Sequence, residues 1–125
     1  MANILLVEDE EPVRDVLLDE LSAMGHEVQE AENGEVALDI ILENAPDLIL
    51  CDRAMPVMSG YDLLKRLRNV YPQYNDIPFV FLTALADPRD RDVIDELNPT
   101  AYLEKPIDFN DLQKALEKFL SKPPY

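Results

Sequence analysis

Three runs of four consecutive apolar residues recur along the chain, at residues 4–7, 48–51 and 79–82. Because every residue in each run is apolar, rather than every second one, we expect strands that are covered on both faces. Such strands belong in a parallel sheet with helices on either side. Two weaker runs, at residues 26–31 and 101–103, complete a predicted set of five strands. Their weaker hydrophobicity predicts that they lie at the edges of the sheet.

Apolar residues at three- and four-residue spacing follow each predicted strand, which is the pattern of an amphipathic helix. The chain therefore alternates strand and helix five times, and this alternation predicts right-handed crossovers with helices on both faces of the sheet. We expect a doubly wound α/β fold with five helices and a five-stranded parallel sheet in the flavodoxin-like order 2-1-3-4-5. The helical positions, in chain order, are Val13, Val16, Leu17, Leu21 and Met24; Ala37, Leu38, Ile41 and Leu42; Leu63, Leu64 and Leu67; Val93, Ile94 and Leu97; and Phe109, Leu112, Ala115, Leu116 and Phe119.

Residues that favour helix starts precede several of these patterns. Pro12 and Pro88 lie where a first helical turn is expected, since the fixed φ of proline suits that position. Ser59 and Asp108 each precede an acidic residue by three positions, which is the spacing of a capping pair. These residues predict where the first, third, fourth and fifth helices begin.

The length and composition of the chain are those of one folded domain. Its 125 residues are 47% hydrophobic and 30% charged, which is enough apolar material for a single packed core. We expect this domain to occupy residues 1–120. Residues 121–125 are expected to form a C-terminal tail or the start of a linker.

The charge and the apolar runs exclude several classes of function. A formal net charge of −15 argues against binding to nucleic acid, which requires clustered Lys and Arg. The longest apolar runs are far shorter than the roughly 18 residues needed to cross a membrane, and no basic segment of a secretory signal precedes them. Cys51 is the only cysteine, so an internal disulfide is excluded. The sequence therefore predicts a cytoplasmic protein that binds neither nucleic acid nor membrane.

Acidic residues directly follow the first and third predicted strands: Glu8 and Asp9 follow the first, and Asp52 follows the third. In an open sheet of the expected order, ligands bind beyond the carboxyl ends of these two strands, where the strand order reverses. Neighbouring carboxylates repel one another and commonly bind a cation. Mg²⁺ suits such a cluster because it takes carboxylate, water and phosphate oxygens. The sequence predicts a magnesium site of Glu8, Asp9 and Asp52, with a backbone carbonyl near Ala54 as a further ligand.

The fourth and fifth predicted strands deliver polar residues to the same edge of the sheet. Thr83 directly follows the fourth strand, and Lys105 lies just beyond the fifth. A hydroxyl group and a compact cation both suit phosphoryl oxygens, and phosphoryl transfer depends mainly on charges positioned in this way. Without a phosphoryl group, Lys105 is expected to hold the Asp52 carboxylate.

Each of these residues also has a simpler interpretation. The chain has 26 acidic residues, so a solvated acidic loop explains Glu8 and Asp9 equally well. Thr83 suits a turn, and an isolated Lys105 suits a solvated surface. The conjunction of four strand ends favours a site for a metal ion and a phosphoryl group, because each end carries a residue type that such a site requires.

Five segments resemble the receiver domain of two-component response regulators, and the resemblance covers essentially the whole chain. They are residues 4–10 (ILLVEDE), 31–38 (AENGEVAL), 52–60 (DRAMPVMSG), 82–84 (LTA) and 102–106 (YLEKP).

One departure from the family pattern precedes the fifth strand, where Asn98 and Pro99 replace the usual Gly-Ala. Asn tolerates the left-handed conformation that ends a helix, and Pro cannot continue the helix, so we expect the turn to be preserved.

The resemblance implies that Asp52 is the phosphorylated aspartate and that Glu8 and Asp9, with the carbonyl of Ala54, help to bind Mg²⁺. It also implies a phosphodonor, either a histidine kinase or a histidine phosphotransfer protein. His26, the only histidine of the chain, is expected to be a solvated loop residue and not a relay residue.

The resemblance further implies that Thr83 and Lys105 contact the phosphoryl oxygens. Tyr102 matches the switch aromatic of the family, which turns inward when Thr83 moves towards the phosphoryl group. A downstream effector is then expected to bind the face made by the fourth helix, the fifth strand and the fifth helix. A simpler interpretation is that Tyr102 only covers the edge of the sheet.

The chain is expected to be a switch and not an enzyme, with at most self-phosphorylation from small donors and autodephosphorylation.

Three other classes remain as alternatives. A pseudo-receiver, an interaction module without phosphorylation, would have lost Asp52, Lys105 or the acidic pair, and all are present. An aspartyl-phosphate phosphohydrolase usually needs a second acid two positions after its nucleophile, where this chain has Ala54. A flavodoxin is disfavoured because acids after the first strand would repel a phosphate group.

Overall fold

The computed structural model describes residues 2–84 and 96–120 and contains a five-stranded parallel sheet. The strands are β1 (Asn3–Val7), β2 (Glu27–Ala31), β3 (Leu48–Asp52), β4 (Phe79–Thr83) and β5 (Ala101–Glu104). Their order is β2-β1-β3-β4-β5, so the predicted order is confirmed, and the two weaker strands lie at the edges. The strands β3, β4 and β5 each extend one residue beyond the predicted apolar run, to a polar residue. The carboxyl edge of the sheet is therefore polar.

Four α-helices lie in the described part of the chain: α1 (Glu11–Ala23), α2 (Gly34–Glu43), α3 (Gly60–Val70) and a C-terminal helix (Phe109–Leu120). A short 3-10 helix, Pro72–Tyr74, follows α3. The C-terminal helix corresponds to the fifth predicted helix. The fourth predicted helix, with Val93 and Ile94, lies outside the described residues, and so does Pro88.

The sheet separates two apolar layers among the described residues. On one face, Leu38, Leu63 and Leu67 place α2 and α3 in one buried cluster. On the other face, Leu17 and Leu116 place α1 and the C-terminal helix in a second cluster. The central strands contribute to both clusters, so both of their faces are covered, as their continuous apolar runs predict.

The predicted capping residues act at two helix starts. Ser59 Oγ accepts a hydrogen bond from the backbone N–H of Asp62 at 3.0 Å, at the start of α3. Asp108 Oδ1 accepts one from the N–H of Asp111 at 3.2 Å, at the start of the C-terminal helix. These bonds satisfy N–H groups that have no partner within the helix. Asn98 has the expected left-handed conformation, with φ of 55°.

No helix in residues 2–84 and 96–120 is long and apolar enough to cross a membrane.

The loop between β3 and α3 contains a strained turn at Val57. The backbone N–H of Met58 donates to the carbonyl of Pro56 at 2.8 Å, which closes a three-residue γ-turn with Val57 at its centre. Val57 has φ of 68°, a value that is unfavourable for a β-branched residue. Its side chain is 76% exposed, so little packing energy offsets the strain.

We predict that Val57→Gly raises the free energy of unfolding by about 0.5–1 kcal/mol. Glycine removes roughly 1–2 kcal/mol of left-handed strain, and its greater freedom in the unfolded chain costs about 0.5–1 kcal/mol in return. Urea denaturation measures the difference. Val57→Ala is the control, because alanine keeps most of the strain and should change the free energy by less than about 0.5 kcal/mol. A clear loss of stability in Val57→Gly would show that Val57 is not strained.

Candidate functional site

The carboxyl ends of the strands bring polar residues to one edge of the sheet. Glu8 directly follows β1 and is held there by its N–H, which donates to the carbonyl of Ala31 at 3.0 Å. Asp52 and Thr83 are the last residues of β3 and β4, and each is 7% exposed. The N–H of Lys105 donates to the carbonyl of Thr83 at 2.8 Å and places this residue just past β5.

Lys105 is the centre of the site, because its ammonium group binds two carboxylates. Its Nζ lies 2.8 Å from Glu8 Oε1 and 3.1 Å from Asp52 Oδ2, within hydrogen-bonding distance of both. The bond to Asp52 is the one that sequence reasoning anticipates. The bond to Glu8 is not anticipated, and it is the shorter of the two.

Three carboxylates form a cluster that could hold a metal ion. Glu8, Asp9 and Asp52 each offer one carboxylate oxygen, and these oxygens lie within 4.8 Å of one another. Glu8 and Asp52 are buried, whereas Asp9 is exposed. Glu8 Oε2 is buried and has no hydrogen-bond partner among the described residues. An acceptor left in this state suits a cation, and an all-oxygen set suits a hard one such as Mg²⁺.

The electrostatics of the site depend on its burial. Burial and the neighbouring Asp52 raise the pKa of Glu8 to about 7, because the Asp52 carboxylate repels a charged Glu8 and can accept a hydrogen bond from a neutral one, and Lys105 only partly opposes this shift. Burial lowers the pKa of Lys105, but its hydrogen bonds to Glu8 and Asp52 outweigh burial and raise it above the ordinary lysine value. Lys105 therefore stays charged, while Glu8 changes its charge near neutral pH.

The backbone around the site is fixed by contacts that the sequence pattern does not reveal. Arg14 Nη1 donates to the backbone carbonyl of Glu8 at 2.8 Å, and Arg14 Nε lies 3.4 Å from Glu30 Oε1. Arg14 therefore ties the first turn of α1 to the segment that carries Glu8. Its spacing from Glu8 gives no signal in the sequence, because the contact depends on how α1 packs against the sheet.

Close packing also fixes the loop that follows Asp52. A Cβ atom at Gly60 would overlap the carbonyl oxygen of Asp52, so only glycine fits at this position. The N–H of Ala54 lies 3.3 Å from Asp52 Oδ1 and donates to it, and the Ala54 side chain is exposed. The Asp52 carboxylate is thus oriented by Ala54 on one oxygen and by Lys105 on the other.

Tyr102 lies away from the carboxylate cluster, on β5. Its ring stacks on Phe81, with ring centroids 6.0 Å apart and an interplanar angle of 20°. Tyr102 pairs in register with Phe81 of β4, two residues before Thr83. The half-buried ring therefore rests on the strand that carries Thr83.

Two further residues, Cys51 and His26, have structural roles. Burial strongly raises the pKa of the Cys51 thiol, which suits an inert core residue. His26 lies at the opposite end of the sheet, just before β2, and its Nδ1 accepts a hydrogen bond from the N–H of Ala2 at 3.2 Å. It is partly buried and hydrogen-bonded, so the prediction of a simply solvated residue is incomplete.

A parallel sheet of this order, with a lysine bound to two acids at its carboxyl edge, defines the class of phosphoacceptor receiver domains. The family model of the response regulator receiver domain matches residues 4–117. The chain belongs to this family.

Known structures and sequences agree with this assignment. The chemotaxis response regulator CheY4 of Vibrio cholerae is 32% identical, with a TM-score of 0.88 over 96% of this chain and 99% of that one. The receiver domain of sensor histidine kinase PA1611 from Pseudomonas aeruginosa, with a magnesium ion coordinated in its active-site cleft, is 29% identical. Its TM-score is 0.88 over 97% of this chain and 98% of that one.

Among curated relatives, the "Probable transcriptional regulator ycf27" of Cyanophora paradoxa is 37% identical over 119 residues, covering 95% of this chain and 48% of the relative. The chain spans about half the length of this relative and of the other ycf27 proteins that it matches.

We predict that Lys105→Met, measured without metal, lowers the free energy of unfolding by about 2 kcal/mol at pH 8, because buried carboxylates then lose their cation. The loss should be smaller at pH 5.5, where Glu8 is protonated. The larger loss of stability at the higher pH follows from the raised pKa of Glu8. The folded protein holds this proton more tightly than the unfolded chain, so the contribution of Glu8 to stability falls as pH rises from 4.5 to about 7.

Urea denaturation at the two pH values, with EDTA present, measures this effect. The double variant Glu8→Gln with Lys105→Met is the control. When it is compared with Glu8→Gln alone, the loss in the free energy of unfolding should depend little on pH. A loss in Lys105→Met that is equal at pH 5.5 and pH 8 would contradict the coupling of Lys105 to a titrating Glu8.

Proposed function

We propose that Asp52 accepts a phosphoryl group from a phosphohistidine, carried by a histidine kinase or a histidine phosphotransfer protein. The observation that carries this proposal is the pair of contacts from Lys105 Nζ, 2.8 Å to Glu8 and 3.1 Å to Asp52, at the buried carboxyl edge of the sheet. A cation held between two acids is poised to exchange one of them for a phosphoryl oxygen.

Mg²⁺ is the proposed cofactor. Glu8, Asp9 and Asp52 would hold it with their carboxylates and Ala54 with its backbone carbonyl, and the unpaired Oε2 of Glu8 supports this set. When bound, Mg²⁺ supplies positive charge that offsets the negative charge of the phosphoryl oxygens. The finding that a similar receiver domain, that of PA1611, coordinates a magnesium ion in its active-site cleft also supports the proposal.

The chemistry requires one bond to form and one to break. A carboxylate oxygen of Asp52 forms a bond to phosphorus while the bond from phosphorus to the donor imidazole nitrogen breaks, and the electron pair stays on that nitrogen. The product is an acyl phosphate on Asp52. Lys105 and the hydroxyl of Thr83 would bind its oxygens. Water later attacks phosphorus, releases inorganic phosphate and restores the Asp52 carboxylate.

This chemistry makes the domain a switch and not a turnover enzyme. It would take a phosphoryl group from its partner or from a small donor, and lose it by hydrolysis. A phosphohydrolase usually protonates its leaving group with an acid two positions after the nucleophile, where Ala54 lies here. A pseudo-receiver is disfavoured because Asp52 and Lys105 are both present and in contact.

We propose that the switch passes through Thr83 and Tyr102. The Tyr102 ring of β5 stacks on Phe81, which lies in β4 together with Thr83. When Thr83 moves towards the phosphoryl group, Tyr102 would therefore lose or change its contact with Phe81. The effector would bind the face formed by the fourth predicted helix, β5 and the C-terminal helix. If phosphorylation leaves the NMR signals of Tyr102 unchanged, this role is wrong.

The proposed setting is the cytoplasm, where phosphohistidine donors and a reduced Cys51 are both expected. Residues 1–120 would form the receiver domain, and residues 121–125 a tail or the start of a linker. The ycf27 relatives are about twice as long as the matched region, which supports an effector domain as one partner of this domain.

We predict that Asp52→Asn abolishes labelling by ³²P-acetyl phosphate in the presence of Mg²⁺, because the amide keeps the shape of the side chain but is not a nucleophile. Asp76→Asn is the matched control: Asp76 is exposed, and its loss should leave the labelling at the wild-type level. Release of the label by neutral hydroxylamine, which cleaves acyl phosphates but leaves phosphoserine and phosphothreonine intact, identifies an acyl phosphate in the wild type. Undiminished labelling of Asp52→Asn would exclude Asp52 as the acceptor.

A further inference from the structure

The helices α2 and α3 lie side by side on one face of the sheet, and their outer surfaces together form what we call the α2–α3 face. Both helices bury their inner residues in the same apolar cluster, through Leu38 and Ile41 of α2 and Leu64 and Leu67 of α3. Their solvent-facing residues therefore point away from the sheet in the same general direction. This face is distinct from the carboxyl edge that carries Asp52 and Lys105.

The α3 half of this face carries positive charge. Lys65 and Arg66 are exposed in the middle of α3, and neither takes part in a hydrogen bond or ion pair among the described residues. They line a shallow groove of about 360 Å³ that extends from Val57 to Val70. Among the described residues, Asp62 is the one acid that lines the groove, so these lining residues are net positive within a chain of net charge −15.

The α2 half of this face carries negative charge. Glu35, Asp39 and Glu43 follow one another at four-residue spacing, so they form one stripe along the helix, and all three are exposed. None of them is in a hydrogen bond or ion pair with any residue in ranges 2–84 and 96–120. Two neighbouring helices thus present opposite charges that have no partner within residues 2–84 and 96–120.

Exposed apolar side chains accompany both charged stripes. Of the six large apolar side chains that are exposed in the described residues, three belong to this face or border it. They are Leu42 of α2, at 42% exposure, and Val57 and Val70, at 76% and 54%, which line the groove along α3. Val57 is held outward by a strained turn, and strain retained at an exposed position suggests a use for the side chain. Exposed apolar residues among charges are typical of a protein interface.

We propose that the α2–α3 face binds a second copy of this chain in a symmetric dimer. A two-fold axis between the two helices would set the acidic α2 of each copy on the basic α3 of its partner, and so form both contacts at once. The axis runs parallel to the helices and keeps their direction, so Asp39, near the middle of α2, would face Lys65 and Arg66 near the middle of the partner's helix. The apolar residues at the ends of the helices would then flank the charged centre.

The size of the face predicts a weak dimer. The helices α2 and α3 have 10 and 11 residues, so each is about 15–17 Å long and about 10 Å wide. This face is smaller than the roughly 800 Å² per partner of a standard stable interface. The net charge of −15 on each copy also opposes association at long range. At about 0.15 M salt, however, exposed charges more than about 8 Å apart are largely screened from one another. Close pairs of opposite charge can therefore determine the outcome.

A charge exchange tests the proposal. One variant, Lys65→Glu with Arg66→Glu, makes both helices acidic, and the other, Glu35→Lys with Asp39→Lys, makes both basic. Each alone should raise the dimer dissociation constant at least about tenfold, which corresponds to about 1.4 kcal/mol. An equimolar mixture of the two should recover a mixed dimer, because every α2–α3 contact then joins opposite charges. Sedimentation equilibrium of the 125-residue chain at about 0.15 M salt measures all three samples.

Matched controls separate this effect from net charge. Lys114→Glu with Lys118→Glu, on the C-terminal helix, and Asp15→Lys with Asp19→Lys, on α1, make the same changes of charge at exposed positions on the other side of the sheet. Both should dimerise within a few-fold of the wild type. Circular dichroism and thermal unfolding check that every variant is folded. A wild-type chain that stays monomeric up to about 1 mM, a mixture that does not recover the dimer, or controls that weaken it equally would each overturn the proposal.

Discussion

Two buried carboxylates at the ends of neighbouring strands are the constraint on which this structure depends. Glu8 is fully buried and Asp52 nearly so, and two like charges in such a place destabilise a fold unless a cation or a proton joins them. Without metal, Lys105 supplies the cation and the raised pKa of Glu8 allows the proton. We propose that the site is responsive for this reason, since a metal ion or a phosphoryl group would change which of these charges need a partner.

The fold follows from the sequence where the signal is local and continuous. The apolar runs of β1, β3 and β4 predict central, doubly covered strands, and the capping residues Ser59 and Asp108 predict two helix starts within a residue. The strand-end rule selects Glu8, Asp9 and Asp52, and the structure places them in one cluster. Their roles as ligands and acceptor stay predictions.

Other features depend on contacts between distant segments and leave no local signal. The bond from Lys105 to Glu8 joins residues 97 positions apart, and at 2.8 Å it is shorter than the 3.1 Å bond from Lys105 to Asp52. Arg14 reaches the Glu8 carbonyl only because α1 folds back on the sheet. The left-handed conformation of Val57 opposes the preference of valine, whereas that of Asn98 agrees with the preference of asparagine, and only the second could be predicted.

The most direct test of the account is a crystal structure of the chain with Mg²⁺ and beryllium trifluoride, which mimics a phosphoryl group on a carboxylate. We expect the mimic on Asp52, and Mg²⁺ bound by Glu8, Asp9, Asp52 and the carbonyl of Ala54. Lys105 Nζ should contact a fluoride of the mimic and should no longer contact Glu8. A mimic bound to another carboxylate, or Lys105 still bound to Glu8 with the mimic in place, would contradict the exchange of charge partners on which the proposed switch rests.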